Sequence, residues 1–396
     1  MRGGLAVLPA TTALVLGSVG AVLARNTQLD PDVLEYQALA REMSLQTVFG
    51  GVREPIWPVL FVLPVRLLGD QSPLALRFVG VLGFVLLIIA VQLLTTRLYG
   101  AAWGIVSALL LAATPWLVFQ ASRGLREETS AALILLLCLG LLPEKISRRS
   151  FVGLFALAGV SGLLRWDAMV VMLPVLGLAL LIRRPPAKVW IVGPAVTVLI
   201  VAPLLVANYV DHGDPFYHSN IHARFFTNIE FHDQPGFPTS AELATNAFAG
   251  PQTTWTHYVF GLHSPQELVS RAARAFVIIP VDVTTNAMLG RSFYHLPFRL
   301  AVFLQPFTPR IIWVFAVAGA LALLRTRAWM IPVVLGTIIL LYSPIASLID
   351  DRLVLPVYPL MAICVIEAVR PSKWMPAVRA ARIRYRQAIA VEPPLA

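Results

Sequence analysis

The sequence predicts an all-helical integral membrane protein of about ten transmembrane helices, with further helices lying along the membrane on its outer face. Three observations predict it. Hydrophobic residues make up 58% of the 396-residue chain and charged ones only 13%, with a mean hydropathy of +0.75, more apolar surface than a soluble core can bury. That apolar content is gathered into repeated runs of roughly bilayer-spanning length. The basic residues fall in alternate loops between those runs, as loops facing the cytoplasm require. The net charge of +10 is therefore scattered among loops rather than striped along one face, which argues against a nucleic-acid surface.

The first run, 4–24, follows Arg2. That pattern is shared with cleaved signal peptides, but its length suits a spanning helix, and it is read as an uncleaved first span. "LDPDVLEYQALAREMS" follows at 29–44. Asp30 is a good N-cap and Pro31 suits the first helical position. Val33, Tyr36, Ala40 and Met43 then share one helical face, with Asp32, Glu35 and Glu42 on the neighbouring one. This is the pattern of a helix in the membrane interface. Segment 56–68, "IWPVLFVLPVRLL", is apolar but short, and Pro58, Pro64 and Arg66 interrupt it. It is expected at the membrane surface or as a re-entrant segment on the outer side.

Further spans are expected at 76–94, 101–119, 129–142, 151–164, 169–182, 189–208, 310–324, 329–348 and 353–369. Several fall short of the ~20 residues a full crossing needs. With the N-terminus inside, the cytoplasmic loops receive Arg97, then Lys145, Arg148 and Arg149, then Arg183, Arg184 and Lys188, then Arg325 and Arg327. Counting 56–68 as a crossing would invert every later loop. The outer face collects nearly all the carboxylates and all seven histidines. Its two long regions, 25–75 and 209–309, have enough varied sequence to fold against the membrane. The organisation is one membrane domain, 1–369, and a basic cytoplasmic tail, 370–396, suited to anionic lipid. Cys138 and Cys364 lie inside apolar runs, so no disulfide framework is expected. No internal repeat is evident, which weighs against an inverted-repeat transporter.

A first span, an outer Asp32, Tyr36 four residues on, and then "ALAREM" resembles the GT-C superfamily of polyprenyl-phosphate-sugar glycosyltransferases. The closest look is to the branch of protein O-mannosyltransferases and the lipid A aminoarabinose transferase. "REPIWPVLFVLPVRLLGDQSPLALRFVGVLG", "SRGLREETS", "LLRWDAMVVMLP" and "DDRLVLPVYPL" are similar to later segments of that branch, in order. The resemblance covers 1–210 and 340–370, and it implies a GT-C-like fold in the plasma membrane. It also implies Asp32 as the catalytic acid of the first outer loop. Where the family often has a second acid directly after, this chain has Val33, which departs from any two-carboxylate mechanism.

The implied reaction moves a sugar from a polyprenyl phosphate to an acceptor hydroxyl on the extracytoplasmic side, with inversion. The acceptor class, whether lipid, glycan or protein, is left open. Such a step needs a base at the acceptor oxygen and positive charge on the departing phosphate. Asp32 is the expected base, kept ionised by the helix N-terminus. Asp30 is assigned to capping. Arginine forks bind two phosphate oxygens at once, and the outer candidates are Arg53, Arg123, Arg126, Arg165 and Arg352. The competing reading is local ion pairing, of Arg165 with Asp167 and of Arg352 with Asp350 or Asp351. A divalent metal is a further expectation, at Glu54 with His218 and His222, whose i, i+4 spacing suits two ligands on one helix. Two other functions compete: a transporter or flippase of lipid-linked sugar, and an inactive scaffold of the same fold. The clustering of charge at the outer ends of the spans favours the enzyme, since transporters place ionisable groups at mid-membrane.

Overall fold

The computed structural model describes residues 2–44, 48–49, 53–69, 72–246, 248–289, 308–345 and 351–370. Among them every regular element is a helix. The basic tail lies outside the described residues from 371 onward. Four helices are long and apolar enough to cross a membrane: Val7–Asn26, Pro73–Tyr99, Trp166–Arg183 and Ala187–His212. They fall within or along α1 (Arg2–Leu23), α4 (Ser72–Tyr99), α9 (Trp166–Arg183) and α10 (Ala187–His212).

The expected span 101–119 is instead a broken pair, α5 (Ala101–Ala112) and α6 (Pro115–Ala121), bent by 66°. Pro115 is the cause: it has no amide to continue the ladder, but its fixed φ suits the first position of a new helix. The remaining expected spans are present as short helices. These are α7 (Glu127–Leu141), α8 (Arg148–Leu164), α14 (Thr308–Leu324), α15 (Met330–Tyr342) and α16 (Val357–Val369). At 13 to 17 residues they extend roughly 20–25 Å, less than the hydrocarbon thickness. The expected count of ten crossings thus resolves into four full-length helices, a fifth if the bent pair is one span, and a set of shorter apolar helices.

One large core joins the bundle, with Phe84, Leu87 and Ile88 of α4 meeting Leu135 of α7, Met172 of α9 and Leu360 of α16. Cys138 and Cys364 are buried in it as free thiols. Because α7 and α9 start at one end of the bundle and α8 finishes there, the turns around residues 122–127 and 165–167 share that end. At the other end Arg183 donates to the carbonyls of Leu141 (2.9 Å) and Pro143 (2.6 Å), pinning the α7–α8 turn to α9.

A smaller core builds the platform at the first end. α2 (Pro31–Glu42) lays Val33, Tyr36 and Ala40 against Trp57, Phe61 and Val65 of α3 (Ile56–Leu68), with Leu76, Leu125 and Leu164 beneath. Side chains of this size contribute about 1.5–3 kcal/mol each when fully buried. The apolar face of α2 therefore packs on protein. α3 turns its other row outward, with Leu60, Leu63 and Leu67 exposed by 46%, 66% and 72%, as a helix lying on lipid would. Trp57 Nε1 donates to the Gly124 carbonyl (3.1 Å) and Arg66 to the Met43 carbonyl (2.7 Å), which fixes the hairpin at both ends.

The turn between α6 and α7 is equally constrained. Gly124 has a φ of +79°, and a Cβ there would stand 3.0 Å from the Leu76 carbonyl oxygen. Arg77 of α4 donates to the carbonyls of Ser122 (2.7 Å) and Thr27 (3.0 Å), so one buried guanidinium holds both loops that carry site residues.

The region after α10, expected to fold against the membrane, contains α11 (Tyr217–Phe231), the short α12 (Ser240–Thr245), a π-helical turn at His257–Gly261 and α13 (Pro265–Leu289). Residues 290–307 lie outside the described residues.

Candidate active site

α2 starts as its sequence dictates. The Asp30 carboxylate accepts from the Asp32 amide (3.1 Å) and Pro31 follows it into the helix. Asp32 is thereby fixed in the first turn, where two arginines from distant segments reach it. Arg53 Nη2 is 2.9 Å from one carboxylate oxygen and Arg352 Nη1 is 2.8 Å from the other. Arg53 also takes Glu35, through Nε (2.8 Å) and Nη2 (2.6 Å).

Asp30 does more than cap. It forms an ion pair with Arg123 and lies 3.3 Å from Arg352 Nη1. Arg352 is thus shared between Asp30 and Asp32. Of the neighbours expected to pair with it, Asp350 and the Asp351 side chain lie outside what the structure describes. Burial pushes the Asp32 carboxyl up, but Arg352, Arg53 and Arg126 outweigh it and hold the group below the usual carboxylate range.

Arg126 and Arg165 belong to a deeper network. Arg126 Nη1 donates to Glu54 (2.5 Å) and to the Leu164 carbonyl (2.7 Å). The other Glu54 oxygen accepts from the Trp166 amide at 3.1 Å. Burial alone would raise the Glu54 carboxyl; Arg126, with His218 and His222, depresses it far below its ordinary value. Arg165 makes the expected pair with Asp167, through Nε at 2.9 Å, and its Nη1 is 3.2 Å from Glu127. Tyr342 donates to Asp167 and accepts from Arg165 at 3.3 Å. A narrow cleft beside it is lined by Glu127, Arg165, Asp167, Tyr342, Leu353 and Pro356. Glu128 is fully buried with neither oxygen hydrogen-bonded.

Side-chain exposure separates the five arginines. Arg126 and Arg165 are each 7% exposed, whereas Arg53, Arg123 and Arg352 are 14%, 23% and 19% exposed. The first two are the more enclosed, Arg165 lining the cleft beside Tyr342, and the other three are part-exposed around Asp30 and Asp32. Tyr36 joins the layers, with the Arg53 and Arg126 guanidiniums 5.8 and 5.5 Å from its ring centre.

The expected histidines lie on α11, one turn apart, with His218 edge-on to Trp166 at 5.4 Å. Burial pushes His222 down to about 4, against the opposing pull of Glu54. Burial also lowers His218. Its Nδ1 meets the Asn208 amide at 3.0 Å, and its Nε2 is buried without a hydrogen-bond partner. Two neutral imidazoles, one with an orphaned nitrogen, and an ionised carboxylate are a donor set that suits a zinc-type ion. Among the described residues, however, the trio whose ligand atoms lie within 4.8 Å of one another is Glu230, His263 and Glu267, a group the sequence reading did not single out.

Asp30, Glu35, Tyr36 and Arg77 were also missed as partners of the site. The acidic run on α2 was the available signal for the first two. Arg77 sits at the head of an apolar span, where an unpaired cation is costly.

Residues 54–207, less than half of the chain, match the family model described as dolichyl-phosphate-mannose-protein mannosyltransferase. The fold matches ArnT from Cupriavidus metallidurans bound to undecaprenyl phosphate, with a TM-score of 0.58 and 17% identity over 100% of this chain and 67% of that one. The apo state of ArnT gives a TM-score of 0.42 at 17% identity, over 94% of this chain and 79% of that one. No curated protein matches the sequence.

Proposed function

We propose that this membrane protein, with its GT-C-type fold and a mannosyltransferase-family segment at 54–207, transfers a sugar from a polyprenyl phosphate to an acceptor hydroxyl, with inversion. The observation that carries the reading is the position of Asp32, part-exposed and 2.8 and 2.9 Å from two part-exposed guanidiniums. A donor phosphate arriving there competes with the carboxylates for Arg352 and Arg123, whose forks fit its oxygens. As Arg352 turns to the phosphate, Asp32 loses a cationic partner and becomes more basic. It then takes the proton of the acceptor hydroxyl while that oxygen bonds to the anomeric carbon. The carbon–oxygen bond to phosphate breaks on the opposite face, and the arginines stabilise the charge gathering on the leaving polyprenyl phosphate.

A divalent ion held by Glu54, His218 and His222 would supply further positive charge near that phosphate. Arg126 and Arg165 keep the platform rigid. The transporter reading is disfavoured, since Asp30, Asp32, Arg53, Arg123 and Arg352 gather at one end of the bundle rather than along a path through it.

The reading places this end of the bundle on the extracytoplasmic side of the plasma membrane. An impermeant thiol reagent should label Gln234→Cys and spare Lys145→Cys in intact cells; the reverse pattern overturns the side assigned to the site. Mass spectrometry of lipid extracted from the purified protein should find a polyprenyl-phosphate sugar. Recovery of bulk phospholipid alone, together with failure of added polyprenyl-phosphate sugar to bind, would sink the donor class.

A further inference from the structure

Away from Asp32, α11, the π-helical turn and α13 meet at a cluster whose parts the proposed transfer does not use. The Glu230 carboxylate at the end of α11 faces His263, whose side chain is 0% exposed, and His263 Nε2 lies 3.4 Å from Glu230 Oε1. Neither ring nitrogen of His263 has a hydrogen-bond partner. A buried imidazole with both nitrogens idle forfeits free energy unless something else takes up a lone pair. Glu267, in the first turn of α13, completes a trio whose ligand atoms all lie within 4.8 Å of one another.

Arg271 already engages the two carboxylates. It pairs with Glu230 and, at 2.6 Å, with Glu267, while its Nη1 donates to the Pro344 carbonyl at 2.6 Å. The second Glu230 oxygen accepts from the Tyr258 hydroxyl. One guanidinium against two carboxylates leaves a net negative charge beside the idle imidazole. The Glu267 side chain is 44% exposed, which gives an ion a way in from water.

We propose that Glu230, His263 and Glu267 form a binding site for a divalent transition-metal ion of the zinc class, distinct from Glu54, His218 and His222. One nitrogen and two carboxylate oxygens suit zinc better than the all-oxygen shells that calcium and magnesium prefer. The ion and the Arg271 guanidinium compete for the same carboxylate oxygens, so Arg271 gives way when the ion binds. Its contact with Pro344 lies two residues from Tyr342, which bonds Arg165 and Asp167, so occupancy bears on the wall of the cleft.

Metal content and zinc titration of chelator-stripped, detergent-purified full-length protein test this. Wild type should take up one equivalent of zinc more than His263→Ala, whereas His218→Ala should keep that equivalent. Arg271→Gln removes the competitor and should bind zinc more tightly than wild type. A purely structural ion cluster gives the opposite: equal zinc uptake by wild type and His263→Ala, and no gain of affinity in Arg271→Gln. Because His218→Ala reports separately on the first trio, failure at one site is distinguishable from failure at the other.

Discussion

Asp32→Asn isolates the proposed base. The substitution keeps the shape of the side chain but only one of its two guanidinium contacts, since an amide NH2 cannot accept a hydrogen bond, so its structural cost follows from what its partners retain. Arg53 keeps Glu35 at 2.6 and 2.8 Å, and Arg352 keeps Asp30 at 3.3 Å. Asp32 is 23% exposed, so loss of its charge should cost on the order of 1 kcal/mol, within what a part-exposed ion pair contributes. Protein yield and melting should therefore stay near wild type. Loss of a general base slows turnover about 10²–10⁴-fold, equivalent to roughly 2.7–5.5 kcal/mol of activation free energy. Donor binding should persist or tighten, since Arg53 and Arg352 each have one carboxylate fewer for the phosphate to displace. The assay follows conversion of polyprenyl-phosphate sugar to polyprenyl phosphate by mass spectrometry in nanodiscs, with donor binding measured separately. Wild-type turnover in Asp32→Asn would refute the assignment outright. A loss confined to donor affinity would refute it as well, because Asp32 would then serve only to place the arginines.

Arg352→Lys retains charge but loses the fork that spans Asp30, Asp32 and the phosphate, so the donor KM should rise at least tenfold with little change in protein level. Asp30→Asn caps as well as aspartate yet releases Arg123 and Arg352 from a carboxylate. It should leave helicity unchanged by circular dichroism while altering donor affinity, which a mere capping residue would not do. Glu54→Gln leaves the enclosed Arg126 without its counter-charge and should destabilise the protein by about 3–5 kcal/mol, read as a lower melting temperature and reduced yield. His222, held at about 4 in the fold, titrates near 6.5 when unfolded. Between those values the unfolded state binds more protons, so stability falls as pH drops from 6.5 toward 4 and is fully present above 6.5. The span corresponds to at most about 3 kcal/mol, less because the ring is part-exposed, and His222→Asn should flatten melting temperature against pH in that window.

Much of this architecture was legible because its causes are local. Asp30 followed by Pro31 dictated the start of α2, and the Val33, Tyr36, Ala40 spacing dictated its packing face. The prolines and Arg66 of α3 argued against a crossing, and the structure packs the helix against α2 as a platform. The break at Pro115 was visible in the sequence but lost inside an apolar run, where hydropathy alone sets no helix ends. In the candidate site, Asp32 was singled out from its place at the start of α2, and the Arg165–Asp167 pair was foreseeable two residues apart. The pairing of Arg352 with Asp30 was not, since it joins residues 322 positions apart and long-range ion pairs leave no periodic trace. Proximity in sequence offered Asp350 and Asp351 instead. Glu54 was read for its family position, and its engagement by Arg126 and the Trp166 amide emerged only once four helices met.

The exposed row of α3 bears on where the proposed transfer would take place. Leu60, Leu63 and Leu67 give the α2–α3 hairpin an exposed apolar row suited to acyl chains, while Trp57 and Arg66 tie the hairpin to Gly124 and to the end of α2. With that row on lipid, the depth of Asp32 would be set jointly by the protein and by the thickness of the leaflet around it. A phosphate carried on a long prenyl chain rides at a depth of its own. In the proposed transfer Asp32 and the donor would meet only where those two levels coincide, and the lipid that surrounds the protein would act as a gauge for that chemistry.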